Sequence, residues 1–103
     1  MAEDIRIEAD GWFVAFRPDR WTFGDRRKIM EAESDWDALN FILPYVTSWN
    51  LKDVDGIAVM AKDGEGRPVS SLALANLDDD TARWLVRAWF QAKAQRAELP
   101  KVP

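Results

Sequence analysis

Apolar and polar positions alternate at the start of the chain and then change period. Ile5 and Ile7 alternate with Arg6 and Glu8, the period-two pattern of a half-buried strand. Asp10-Gly11 is a favourable two-residue turn, and Phe13-Val14-Ala15-Phe16 is a second β-rich run. The pattern predicts a hairpin from Ile5 to Phe16. An isolated hairpin is marginal in water, so this one must pack on a helix or a third strand. Pro18 interrupts the ladder, which makes Arg17 to Trp21 a connector.

From Thr22 the period becomes helical. Thr22 followed by Asp25 resembles a capping box and opens a first helix over Phe23 to Glu33. Phe23, Arg27, Met30 and Ser34 share a stripe, with Arg26 and Ile29 beside it, so this helix is weakly amphipathic. Its Arg26-Arg27-Lys28 run reads as a solvated face. Ser34 and Asp37 repeat the capping pattern and open a second helix. Trp36, Leu39, Leu43, Val46 and Asn50 fall on one of its stripes, and Ala38, Ile42, Tyr45 and Trp49 on another. A helix apolar around so much of its circumference is buried on several sides or has a partner. Pro44 predicts a kink there, or two short helices meeting at Leu43-Pro44.

The stretch Trp49-Asn50-Leu51-Lys52-Asp53-Val54-Asp55-Gly56 ends that helix and makes an acidic turn. Trp49 stands at the join, where its ring can pin the helix end to the next segment of chain. Ile57 to Ala61 reads as a strand, Lys62 to Gly66 as a turn and Pro68-Val69 as the return, which predicts a second hairpin near 57–69. Ser70 to Asn76 fits either a single helical turn capped by Ser70 or Ser71, or a strand through Leu72 and Leu74. Asp78 caps the last helix, with Asp79 and Asp80 at the positive end of its dipole. That helix runs to about Leu99, where Pro100 stops it. No internal repeat is expected. The elements add up to an α+β fold, mainly helical, with an N-terminal hairpin and three main helices. Residues 1–99 form a single domain and residues 100–103 a C-terminal tail.

Composition narrows the chemistry. At 103 residues, with 48% apolar and 31% charged residues, the chain supports one small globular core. It has no Cys and no His. Disulfides, Cys-based metal sites and a Ser-His-Asp triad are thereby excluded, and a cytosolic setting is the simplest expectation. A net charge of −4 argues against a nucleic-acid partner. The first residues lack the pattern of a secretory leader, and no apolar run is long enough for a membrane span.

Among candidate sites, Asp53-x-Asp55-Gly56 resembles part of a calcium loop. With Gly56 at that loop's glycine, however, the first and last ligand positions fall on the apolar Leu51 and Ala61. Gly64-x-Gly66 lacks the Lys-Ser/Thr of a phosphate loop. Capping accounts for Asp78-Asp79-Asp80. No catalytic residues, metal ligands or cofactors are therefore assigned. The strongest feature is the aromatic band of the last helix. Trp84 and Trp89 lie ~140° apart on a helical wheel, so one neighbour does not bury both. Six Trp are also many for one small core. Trp84, Val86, Trp89 and Phe90, with Tyr45 and Trp49 of the preceding helix, are the expected partner-binding residues.

Val46-Thr47-Ser48-Trp49-Asn50-Leu51 followed by Asp53, Asp55 and Gly56 carries a further signal. So do Arg67-Pro68-Val69, the Leu85-Val86-x-Ala88-Trp89 of the closing helix, and Thr22-Phe23-Gly24-Asp25-Arg26-Arg27. Together these resemble the tail assembly chaperones of long-tailed (siphovirus-type) bacteriophages, in the short form of phages of actinobacteria. The likeness covers about Trp36 to Ala97. In that family a turn with Gly and the Pro-Val that follows it are nearly adjacent, whereas here Ile57 to Gly66 separates Gly56 from Pro68-Val69. Either a hairpin is inserted, or Asp63-x-x-Gly66 is the counterpart of the family turn. The resemblance implies a non-enzymatic chaperone in the cytoplasm of the bacterial host, not retained in the mature virion. It implies the tape-measure protein and the tail-tube protein as partners, met by helix-in-groove contact. It leaves room for self-association into a homo-oligomer. The alternative is a small structural head–tail or tail component retained in the virion.

Overall fold

The computed structural model of the chain describes residues 4–17 and 22–95. The N-terminal hairpin is present as β1 (Ile5–Ala9) and β2 (Trp12–Phe16), paired antiparallel with Ala9 opposite Trp12 and Ile5 opposite Phe16. Asp10 and Gly11 both take positive φ, 51° and 86°. That is the turn geometry whose twist matches the strands, and it explains why Asx-Gly stands there.

The first helix, α1, spans Phe23–Met30 and begins with a complete capping box. The Thr22 hydroxyl accepts the Asp25 N–H (3.0 Å), and the Asp25 carboxylate accepts the Thr22 N–H (3.1 Å). The helix ends three residues earlier than expected. The Ala32 N–H bonds the Ile29 carbonyl (3.1 Å), a tightening that closes the last turn. The second helix, α2, spans Asp35–Ile42, and its Ser34 cap accepts the Asp37 N–H (3.3 Å).

Pro44 does more than kink α2. Leu43–Tyr45 form a short 3₁₀ turn, and the chain then leaves as β3 (Val46–Trp49), the third strand of the sheet in order β1-β2-β3. The expected helix through Trp49 is thus corrected. β-branched Val46 and Thr47 come just after a residue that removes a helical donor, and strand pairing to β2 wins. Phe16 faces Val46 and Ala15 faces Ser48, so Thr47 is an extra residue that makes a bulge. The fold class is α+β, as expected. Its predominance of helix holds only in part, because this segment joins the sheet.

Residues 51–69 form two successive loops rather than a strand and its return. Lys52 bridges Ala58, and Lys62 bridges Pro68. Ile57 to Ala61 is not a strand, and the expected second hairpin survives only as the narrow Ala61–Val69 loop. The two loops share their hydrogen bonds at a ten-residue offset, so the chain does contain an internal repeat. Ser71–Leu74 then makes a 3₁₀ turn, the helical alternative, without a side-chain cap from Ser70. Asn40 of α2 holds that turn by accepting the Ser71 N–H (2.8 Å).

The last helix, α3, is described as Asp79–Gln95. Its expected end near Leu99 and the tail at 100–103 lie outside the described residues, as does the connector at 18–21. Leu85, Ala88, Trp89 and Ala92 form its buried stripe, spaced as one helical face. This stripe packs on the inner face of β1 and β2, where Ile7, Val14 and Phe16 point, and α2 adds Leu39 and Ile42.

Candidate functional site

Of the expected binding residues one is a core position and the other five are half-buried. Trp89 is 0% exposed. It lies on the buried stripe of α3, edge-on to Phe16 (ring centroids 5.2 Å apart, 75°) and against Tyr45 (4.9 Å). The Lys93 ammonium sits 4.5 Å from its centroid. A partner therefore does not reach this ring, and Trp89 leaves the binding set. Its place on one stripe with Leu85, Ala88 and Ala92 is the physical reason.

The other rings keep some surface. Trp84, Val86, Phe90, Tyr45 and Trp49 are half-buried and pack against the core edge. Tyr45 borders a small hollow of about 290 Å³ with Phe41, Asp25 and Lys28. Trp49 is committed to the fold, because its indole N–H donates to the Val59 carbonyl (2.6 Å) and anchors the first acidic loop. The expected pinning by Trp49 is thus present, acting on a strand end rather than a helix end.

Val86 and Phe90 belong to a larger feature. They form one wall of an open groove of about 770 Å³ between α3, the end of α1 and the start of α2. Ile29, Met30 and Ala38 complete its apolar lining, and Arg26, Glu33 and Asp35 stand at its lip. A second groove, of about 400 Å³, meets it at Ser34 and Asp35. There Trp36 and Leu39 of α2 face Leu74, Leu77 and Ala82, with Asp79 at the edge. The two form a trough around the first turn of α2, apolar inside and mostly acidic at the rim. Met30 (66% exposed) and Trp36 (46%) stand in it with large apolar area facing solvent.

Sequence reasoning missed Met30, Trp36, Leu74 and Leu77 as members of a site. Trp36 lies on the α2 stripe that predicted core, and only the meeting of three segments exposes its edge. One signal was available. A large ring two residues after a capping Ser falls in a first helical turn, where a neighbour's cover ends early.

The acidic residues do structural work. Asp53 Oδ1 accepts the N–H groups of Asp55 (2.9 Å) and Ile57 (3.0 Å), and Asp78 Oδ2 accepts the Asp80 N–H (3.0 Å). Asp25 has its pKa lowered, first by the Thr22 backbone N–H, then by the Thr22 hydroxyl, with Lys28 adding a smaller charge effect. Among the described residues no group of three or more acidic side chains is placed to hold a metal ion. No helix among them is long and apolar enough to cross a membrane. Comparison with protein-family models, curated proteins and solved structures finds no significant match to this chain.

Proposed function

We propose that the chain is a non-enzymatic tail assembly chaperone of a long-tailed bacteriophage. In this reading it binds the tape-measure protein, keeps it soluble and promotes assembly of the tail tube around it. It acts in the cytoplasm of the bacterial host and is absent from the mature particle. The sequence resemblance through Trp49-Asn50-Leu51 and Arg67-Pro68-Val69 supports this reading. The observation that carries it is the apolar trough between α1, α2 and α3. Its floor offers Met30, Trp36, Val86 and Phe90 to a partner. Its rim, acidic at Glu33, Asp35 and Asp79 against the single base Arg26, complements basic residues flanking an apolar stripe. An amphipathic segment of a long helical client has that chemistry.

Co-expression with the tape-measure protein of the same phage tests the reading. The chain should raise the soluble fraction of that protein several-fold. Met30→Asp and Trp36→Asp, both at exposed positions, should abolish the gain while the chain stays folded. An unchanged client, or variants as effective as the parent, would overturn it. Mass spectrometry of purified particles is the second check. Stoichiometric presence there would replace the chaperone by a structural component of the tail.

A further inference from the structure

β1 is an edge strand, and among the described residues no strand pairs with its far side. The hairpin geometry fixes which of its backbone groups are free. A two-residue turn makes Ala9 and Trp12 a hydrogen-bonded pair, and the pairs Ile7–Val14 and Ile5–Phe16 follow by alternation. The N–H and C=O groups of Arg6 and Glu8 therefore point outward. The far side of β2 confirms the parity, because the Phe13 carbonyl is turned toward β3 and accepts the Asn50 N–H (3.4 Å).

We propose that two copies of the chain join through β1 in an antiparallel, two-fold pairing centred on Ile7. This surface is separate from the trough and does not depend on the function proposed for it. In that register Arg6 of each copy faces Glu8 of the other. Both residues then exchange their outward N–H and C=O groups as hydrogen-bonded pairs. Their side chains lie on the outer face, exposed, with the Arg6 Nε already 2.5 Å from its own Glu8. Arg6 also lies 3.9 Å over the Phe13 ring, which holds its guanidinium on that face. The pairing sets four charges of alternating sign side by side. On the inner face Ile7 stays buried within its own copy, and the half-buried Ile5 and Ala9 of the two copies cover each other.

The charge pattern selects this register over its neighbours. Centring on Arg6 places Arg6 against Arg6 and Asp4 against Glu8. Centring on Glu8 places Glu8 against Glu8. Both put like charges directly opposite, which destabilises a strand pair. Strand pairing stops at Ala9, because Asp10 turns away at φ 51°. The two-fold axis keeps both α3 helices on one side of a continuous six-stranded sheet.

Sedimentation equilibrium of the full chain across a concentration series reads the association. The parent should show a concentration-dependent monomer–dimer equilibrium. Arg6→Glu and Glu8→Arg, each creating two like-charged pairs, should weaken it about tenfold or more. An equimolar mixture of the two single variants should form a heterodimer. The double variant R6E/E8R, whose pattern is again self-complementary, should recover the homodimer. Circular dichroism checks that each variant folds, and the double variant still decides the matter if a single one does not. A parent that is monomeric at every concentration overturns the proposal. So does a dimer indifferent to both reversals, or single variants that fail to associate when mixed.

Discussion

Asp53 and Asp63 stand ten residues apart and close two successive loops with the same hydrogen bonds. Asp53 Oδ1 accepts the N–H groups of Asp55 and Ile57, and Asp63 Oδ1 those of Glu65 (2.8 Å) and Arg67 (3.0 Å). The backbone agrees. The Asp53 N–H bonds the Ile57 carbonyl and the Asp63 N–H the Arg67 carbonyl, while Gly56 and Gly66 both sit at φ 79°. The loops differ in anchorage. The first is tied to the core by Leu51, by the Trp49–Val59 bond and by the Val54 N–H on the Asn76 carbonyl (3.0 Å). The second has Ala61 and Val69 as half-buried contacts and carries the exposed Arg67–Glu65 ion pair.

Equivalent substitutions should therefore behave alike locally and differently in global stability. Asp53→Ala strands two loop N–H groups and should lower unfolding free energy by about 1 kcal/mol. Asp63→Ala should loosen its own loop, seen as faster amide exchange at Glu65 and Arg67, with a smaller global effect. Gly56→Ala and Gly66→Ala should each cost about 1 kcal/mol, because the backbone is left-handed there. Space is not the obstacle, since a Cβ at either meets nothing within 4 Å. Gly64 lies equally open without a positive φ, so Gly64→Ala should be nearly neutral. Denaturant titrations of the five variants check the set.

Trp89 and Trp36 should separate stability from surface function. Trp89→Ala opens a cavity under Phe16 and Tyr45, and a substitution of that kind costs roughly 3–5 kcal/mol. Small domains hold about 5–15 kcal/mol in total, so the variant should lose a large share of its stability and melt well below the parent. Trp36→Ala removes a ring that is 46% exposed and should cost about 1 kcal/mol or less. Thermal melts followed by near-ultraviolet circular dichroism distinguish the two. Equal losses would contradict the assignment of Trp89 to the core and Trp36 to the trough.

What was legible in the sequence was what short-range chemistry decides. Asp10-Gly11 needs no distant partner to be a turn, nor do Thr22-Asp25 and Ser34-Asp37 to be caps, and all three stand where expected. Val46–Trp49 was misread because Val46 and Trp49 also fit helical stripes begun in α2. The outcome was decided by a free edge on β2, which no local pattern reveals. The loop repeat was hidden for a different reason. Lys, Asp, Gly and Val recur at ten residues, but Val54 and Ile57 give way to Gly64 and Arg67, which breaks the hydropathy match. The trough was out of reach, since Met30, Trp36 and Phe90 become neighbours only after three helices pack.

Asn50 ties β3 to the β1–β2 turn with both ends of its amide. Its Oδ1 accepts the Phe13 N–H (2.8 Å) and its Nδ2 donates to the Gly11 carbonyl (2.8 Å). Asn50→Asp keeps the acceptor and loses the donor, and should cost about 1 kcal/mol. Asn50→Ala loses both and should cost about 1–2 kcal/mol. In Asn50→Asp the retained acceptor should keep Phe13 protected. In Asn50→Ala amide exchange should rise at Phe13 and at position 50 before it rises in α3. Protection unchanged at Phe13 in Asn50→Ala would show that the strand pairing holds without the clamp.

Asp25 predicts how α1 responds to acid. Its carboxylate accepts the Thr22 N–H, and that bond, the Thr22 hydroxyl and Lys28 all favour the ionised form, so its folded pKa lies below the ordinary 3.8. A group with a lowered folded pKa binds more protons when unfolded, so its contribution rises with pH. The contribution is fully present above 3.8 and is lost as pH falls through the lowered folded value. Between about pH 7 and 5 the α1 cap should be unchanged. Below about pH 4 the Thr22 and Asp25 amides should begin to lose protection together, because one capping box holds both. Asp25→Asn should remove this acid-dependent step while leaving the Thr22 hydroxyl bond to the residue 25 N–H. An NMR titration of the Asp25 side chain, read beside the two amide signals, follows the process directly. A carboxyl that titrates at or above 3.8, or a Thr22 amide that responds at a different pH, would contradict the coupling of charge and cap.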